Sequence, residues 1–280
     1  EFDEPLLSDK QSNWLEDLAS DNLITENLVE EELLIPKGKG IVIAGHDSVD
    51  VSELVAQLKV PLIAENPLSY PNASAHAPLF SAQLEIDWVI VAGRTTLSRS
   101  TNSLIAKAKE VFVIDSKAAR IDPKRNATKI FSKVPKLIGQ AEPWTINSEF
   151  ISINEWSEPA VAQCIAEQLP NGSTLYVSSS RPIRDLEAFA KPRSGVEVFA
   201  NRGLAGIDGN LSTIFGISQN FASTFAVLGD LTFLHDLNAL ISPTTQNCKI
   251  FLLDNNGGGI FSTLPQADVG GFERIFGTPH

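Results

Sequence analysis

The sequence predicts an α/β protein made of two Rossmann-like parallel-sheet domains. Short apolar runs of strand length recur along the chain, and helix-length amphipathic stretches separate them. That alternation favours parallel strands joined by helical crossovers. The pattern also runs twice, broken by a proline-containing zone poor in either period, which places the domain boundary near residue 157.

Taken in order, residues 1–38 read as a polar, acidic entry segment with helical pieces around Asn13–Ala19 and Asn27–Leu34. The first α/β unit then opens with strand Gly40–Ala44, helix Ser48–Leu58 and the short strand Pro61–Ala64. A Pro/Ser/Asn-rich loop (Asn66–Pro78), strand Asp87–Ala92, helix Asn102–Lys109 and strand Val111–Asp115 follow. Lys117–Ser157, with Pro123, Pro135 and Pro143, reads as loop. The rhythm restarts with helix Pro159–Gln168, strand Thr174–Val177, helix Pro182–Ala190, strand Glu197–Ala200, helix Asp208–Ile217 and strand Thr224–Leu228. A helix-like segment and strand Lys249–Leu253 complete it. Residues 1–157 and 158–280 are the expected domains.

The 280 residues are 43% hydrophobic, enough for two cores, and no apolar run is long enough for a membrane span. A net charge of −12 argues against a nucleic-acid surface, so any anionic ligand must be met by locally placed arginines. Cys164 and Cys248 lack metal or disulfide spacing. No signal peptide is visible and the cytoplasm is the default compartment. The chain has no methionine and starts at Glu1, which reads as the interior of a longer protein.

The chemistry concentrates between Gly229 and Phe261. One strand ends in Gly229-Asp230 and the next in Asp254-Asn255-Asn256-Gly257-Gly258-Gly259, so a parallel sheet delivers a carboxylate and a carboxamide to one edge. Mg²⁺ prefers oxygen ligands in octahedral geometry and keeps phosphate oxygens in its shell. Asp230 supplies an anionic oxygen, Asn255 a neutral one, and Gly257 a backbone carbonyl. Leu231 and Thr232 open a helix whose free N–H groups face an anion. An Asp that merely caps a helix beside a Gly-rich turn is the plain structural alternative.

Three further clusters follow strands. In Ser178-Ser179-Ser180-Arg181-Pro182-Ile183-Arg184, Ser180 occupies an expected N-cap and Arg184 lies one turn on. In Asn201-Arg202-Gly203-Leu204-Ala205-Gly206-Ile207-Asp208-Gly209, Arg202 stands at a strand's C-terminal end and Asp208 reads as an N-cap. Ile260 and Phe261, past the Gly run, suit either a ligand wall or core packing. Arg94 and Arg99, in GRTTLSRS, read as a solvated helix start or as anion contacts.

The GD…NN arrangement resembles the thiamine-diphosphate motif. SSSRPIR, FANRGLAGIDG, LGDLTFLHDLNAL, NNGGGIFSTLPQ and FERIFGTPH together are similar to one family, the 2-succinyl-5-enolpyruvyl-6-hydroxy-3-cyclohexene-1-carboxylate synthases of menaquinone biosynthesis. The resemblance covers essentially the whole chain and implies a central domain plus most of a diphosphate-binding domain. It implies thiamine diphosphate with Mg²⁺ (or Mn²⁺), and decarboxylation of 2-oxoglutarate with addition of the succinyl-semialdehyde carbanion to isochorismate. It also implies a homodimer or homotetramer.

By the same resemblance Asp230, Asn255 and Gly257 bind the metal. Gly229, Leu231, Thr232 and Gly258 line the diphosphate, and Ile207 props the bent cofactor with Ile260 beside it. Ser180, Arg184, Arg202 and Phe261 face substrate. Strict counting of the NN pair selects Asn256 instead of Asn255. The glutamate that activates the aminopyrimidine has no counterpart here, and neither Asp208 nor His235 is placed to replace it, so the chain alone is expected to be inactive. Another thiamine-diphosphate-dependent 2-oxo-acid decarboxylase, an acetolactate-synthase-like enzyme and a non-catalytic scaffold remain alternatives.

Overall fold

The computed structural model describes residues 31–115, 126–202, 205–241 and 247–280. Strand β1 (Glu32–Leu34) is followed by β2 (Gly40–Ala44), α1 (Ser52–Leu58), β3 (Leu62–Ala64) and the four-residue α2 (Ala77–Phe80). Next come β4 (Trp88–Ala92), α3 (Arg99–Lys107), β5 (Glu110–Ile114), β6 (Lys129–Phe131) and β7 (Lys136–Ile138). The first sheet has the order β3-β2-β4-β5-β6 and is parallel throughout. Every residue of β2 and β4 is buried, as expected of parallel strands covered on both faces. Gly40 is required at the start of β2, because a Cβ there would come within 2.0 Å of the fully buried Trp88 ring.

The second unit runs α4 (Glu158–Gln168), β8 (Ser173–Val177), α5 (Arg181–Phe189), β9 (Val196–Phe199), α6 (Asn210–Ser218), β10 (Thr224–Gly229), α7 (Asp230–Leu234), β11 (Cys248–Leu253) and α8 (Phe272–Phe276). Its sheet order is β11-β10-β8-β9, again parallel. In helix α4, Ser157 accepts from the Ala160 N–H as the N-cap, and a proline sits in the first turn.

The loop after β3 fastens the first unit to the second. Leu68, in a 3₁₀ turn at Pro67–Ser69, is fully buried among Ile165, Leu175 and Leu186. Arg193 N donates to the Pro67 carbonyl at 2.9 Å and Ser69 Oγ to the Val196 carbonyl at 3.1 Å. His76 links three segments: Nδ1 meets the Ala188 carbonyl at 2.8 Å, Nε2 accepts from Ile151 N at 2.9 Å, and the ring stacks on Phe150. Since a carbonyl only accepts and an N–H only donates, these bonds fix the tautomer with the proton on Nδ1.

Several sequence expectations are corrected. Of the second predicted entry helix, Asn27–Leu34, residues 27–30 lie outside the described residues, and the rest holds β1, which pairs parallel with β7. Only Leu33 of β1 is buried, and its alternation with exposed neighbours suits a strand. The zone predicted as loop contains β6 and β7, both three residues long and too short for a periodic signal. Helix α1 starts at Ser52, four residues late, where the Asp50 carboxylate accepts from Ser52 N at 2.9 Å. Helix α6 starts after Gly209, whose φ of +66° serves as N-cap in place of Asp208. The expectations on Asn13–Ala19, Pro123, Gly203 and Leu204 lie outside the described residues. Among the described residues no helix is long and apolar enough to cross a membrane.

Candidate functional site

Strands β10 and β11 pair in register so that Gly229 stands opposite Leu253. Asp230 and the run Asp254–Gly259 therefore leave the sheet side by side, at its carboxyl edge. The cleft there is lined by Gly229, Asp230, Leu231 and Thr232 from one strand end and by Asn255, Gly257, Gly258, Ile260 and Phe261 from the other. Ile207 and Ser180 reach it from the loops before α6 and α5.

Asp230 organises the cleft. Its carboxylate is nearly buried, with Oδ1 accepting from Leu231 N and Oδ2 from Gly257 N, each at 2.7 Å. Each oxygen keeps a further lone pair for a cation. The second bond spans 27 residues and pins the glycine loop. Gly257 has φ +126°, and a Cβ would lie 2.1 Å from the Gly277 carbonyl, so only glycine fits. Its own carbonyl accepts from Gly259 N at 3.0 Å. The Asn255 carboxamide lines the cleft and donates to Glu158 Oε1 at 2.6 Å. Asn256 is turned into the left-handed region with its N–H on Asp254, and does not line this cleft.

The donor set suits a hard cation, since carboxylate, carboxamide and carbonyl are all oxygens. Asp230, Asp254 and His280 also bring one ligand atom each within 4.8 Å of one another. Gly229 adds a second observation. Its φ of −79° and ψ of 159° are ordinary, and nothing lies within 4 Å of where a Cβ would stand. The protein itself does not need glycine there, and the open space belongs to the cleft.

The anion-facing donors differ from expectation. Helix α7 has five residues and passes into a 3₁₀ turn at Leu237–Ile241, so little macrodipole develops. The Leu231 N–H is taken by Asp230, and the Gly258 N–H by the Gly277 carbonyl at 2.8 Å. Ser180 stands at the N-cap of α5 without capping it, and holds φ +76°, ψ −135°. Such strain in a non-glycine residue, at the mouth of a cleft, is a feature of functional sites.

Arg184 and Arg202 do not line the cleft; they lie along the seam with the first sheet. Arg184 is half-buried and donates to the Ser180 carbonyl, while burial and the nearby Arg202 and Arg99 depress its pKa. The Arg202 side chain is only 4% exposed and makes a fork with Glu65, Nε–Oε1 at 3.0 Å and Nη2–Oε2 at 3.1 Å. Arg94 Nη1 donates to the Arg202 carbonyl at 3.3 Å, so it is a seam residue and not part of a solvated helix start. Arg99 is exposed, as is His235.

Sequence reasoning missed Glu158 and Arg181. They pair at 3.1 Å on the cleft wall, and Glu158 reaches Asn255 across 97 residues. Arg181 sits inside a motif already singled out, but Glu158 carried no signal beyond a helix start. Asp254 stood in the DNN run; His280 had no signal at all. Glu65 and Glu187, both buried, were missed because a lone acid in an apolar stretch has no pattern.

No family model matches the chain. A 2-succinyl-5-enolpyruvyl-6-hydroxy-3-cyclohexene-1-carboxylate synthase from Thermobifida fusca (strain YX) is 34% identical over 276 residues, covering 86% of this chain and 50% of that protein. The synthase of the same name from Desulfitobacterium hafniense (strain DSM 10664 / DCB-2) is 30% identical over 283 residues, covering 86% and 51%. That from Lysinibacillus sphaericus (strain C3-41) is 47% identical over 131 residues, covering 45% and 23%. The chain spans about half the length of the curated relatives it matches across most of its own length. A solved structure from Mycobacterium smegmatis, described as a candidate thiamin diphosphate-dependent enzyme, shares the fold at TM-score 0.50 and 14% identity, over 81% of this chain and 52% of that one.

Fold and cleft together define a class of α/β proteins in which a parallel sheet carries an oxygen-lined cleft at its carboxyl edge. Within it, the chain belongs to the family of 2-succinyl-5-enolpyruvyl-6-hydroxy-3-cyclohexene-1-carboxylate synthases.

Proposed function

We propose that this chain is the central and diphosphate-binding part, residues 1–157 and 158–280, of a synthase that joins 2-oxoglutarate to isochorismate with loss of CO₂. The observation that carries the reading is the pairing of β10 with β11, which brings Asp230, Asn255 and Gly257 to one edge beside the open space over Gly229. Thiamine diphosphate supplies the electron sink that decarboxylation of a 2-oxo acid requires. Asp230, Asn255 and the Gly257 carbonyl hold Mg²⁺ or Mn²⁺, and Gly229, Leu231, Thr232 and Gly258 shape the bed of the diphosphate. Ile207 and Ile260 wall the cofactor. Ser180 and Phe261 face the reacting substrate, with Arg184 and Arg202 supplying positive charge for the carboxylates. In the cell the synthase acts in the cytoplasm as a homodimer or homotetramer.

The test is calorimetric titration of the intact protein with thiamine diphosphate, with and without Mg²⁺, followed by assay of CO₂ release from 2-oxoglutarate with isochorismate present. Metal-dependent binding and isochorismate-dependent product are expected; pyruvate turned over in place of 2-oxoglutarate moves the protein to another activity of the class. Gly229→Ala separates cofactor from fold. The backbone there tolerates alanine, so the melting temperature holds or rises, with a gain of about 0.4–1 kcal/mol. Thiamine diphosphate affinity falls by about 5- to 150-fold, because the methyl enters the cofactor's space and one steric clash costs about 1–3 kcal/mol. Unchanged affinity removes Gly229 from the site.

A further inference from the structure

Asn255 is held from the side by an acid on another element. Its Nδ2 donates to Glu158 Oε1 at 2.6 Å, a bond that spans 97 residues and ties the loop after β11 to the first residue of α4. Glu158 is fixed in turn. Its Oε2 accepts from Arg181 Nε at 3.1 Å, and Arg181 Nη2 reaches Oδ1 of the buried Asp185 at 3.0 Å, one turn further along α5. Glu158, Arg181 and Asn255 all line the cleft that holds Asp230 and Gly257. Gly259 leaves room for the same edge of the amide: a Cβ there would stand 2.8 Å from Asn255 Nδ2 and 3.7 Å from Oδ1. Capping of α4 does not account for the contact, because the Ser157 hydroxyl serves as its N-cap.

A carboxamide has two edges of opposite character. The oxygen can ligate a cation, whereas the NH₂ group only donates hydrogen bonds. The two edges are nearly alike in size, so shape alone does not choose between them. A carboxylate does choose, because it only accepts and therefore takes the NH₂ edge.

We propose that Glu158 is the positioning residue for Asn255: it binds Nδ2 and so turns Oδ1 toward the cation, while Arg181 and Asp185 fix Glu158 against α5. The proposal rests on the reading that Asn255 is a metal ligand. Glu158 itself is not a ligand and acts on the cation through the amide. A hydrogen bond to a charged acceptor is about twice as strong as a neutral one, which suits it to hold one amide orientation against the flipped one. Partners that orient metal ligands in this way typically carry about 10–100-fold in metal affinity.

The experiment titrates Mg²⁺ into the intact protein with thiamine diphosphate in excess, by calorimetry, for wild type, Glu158→Ala, Asn255→Ala and the double variant. Glu158→Ala is expected to weaken Mg²⁺ binding by about 10–100-fold. In the Asn255→Ala background the same replacement should change it by less than about twofold, because no amide is left to orient. A loss of the same size in both backgrounds would mean that Glu158 acts by its charge or through the fold, and overturns the proposal. Wild-type affinity in Glu158→Ala, with Asn255→Ala weakened, also overturns it and leaves Asn255 standing as a ligand. Wild-type affinity in Asn255→Ala overturns the ligand reading and the proposal with it. A crystal structure of the wild-type protein with Mg²⁺ and thiamine diphosphate gives a readout independent of affinity. Asn255 Oδ1 on the metal with Nδ2 still on Glu158 is the expected arrangement. Oδ1 on the metal with Nδ2 turned away from Glu158 overturns the positioning role alone, and Oδ1 off the metal overturns the ligand reading as well.

Discussion

Replacing Asp230 with alanine is expected to weaken Mg²⁺-dependent thiamine diphosphate binding by at least about 100-fold, beyond the range typical of outer-shell changes at metal sites. Two losses coincide. The cation loses its anionic ligand, and the glycine loop loses the acceptor that pins Gly257 N at 2.7 Å. The Leu231 N–H is released at the same time. Asp230→Asn separates these effects, since it keeps an acceptor and removes the charge; it should retain the loop while losing metal dependence. Asn255→Ala should cost less than Asp230→Ala because it removes a neutral ligand. Calorimetry with and without Mg²⁺ decides the point. An affinity for thiamine diphosphate in Asp230→Ala that matches wild type, with metal present, would remove Asp230 from the site.

The largest loss of stability is expected from Glu65→Ala. The variant leaves the Arg202 guanidinium buried with no anion, and breaking a buried pair from one side costs about 3–5 kcal/mol. Arginine does not shed its proton to relieve this. Glu65→Gln keeps one acceptor and should cost clearly less. Double replacement of Glu65 and Arg202 by apolar residues of similar volume should recover much of the loss, because no buried charge is then left unpaired. Urea unfolding of the four proteins measures these differences. A Glu65→Ala variant within about 0.5 kcal/mol of wild type, the range of ordinary surface substitutions, would mean that the seam opens to water in solution.

The strands were legible because parallel strands buried on both faces are continuous apolar runs, as in GIVIA at β2 and WVIVA at β4. Strands β1, β6 and β7 were not, since three residues carry no period. Helix starts moved where the local backbone was held by something other than a capping side chain. The Asp50 carboxylate holds Ser52 N just ahead of α1, whose N-cap is Val51, and the left-handed Gly209 stands at the N-cap of α6 in place of Asp208. The Gly-Asp and Asn-Asn-Gly ends of adjacent strands could be read because their chemistry depends on backbone turns that few residue types allow.

By itself the sequence determined the α/β class, two parallel sheets and the meeting of Asp230 with Asn255 and Gly257. These follow from local periodicity and from the rule that successive parallel strands end at one edge. Only the tertiary structure decided which charged groups meet. It held Arg202 against Glu65, 137 residues away, put Glu158 on Asn255, kept the Gly258 N–H on Gly277, and kept Arg184 off the cleft wall. The physical reason is that an ion pair or a hydrogen bond between distant segments leaves no periodic trace. Its partners are chosen by the burial that the packed sheets impose, and a buried charge must find whichever opposite charge the fold brings within reach.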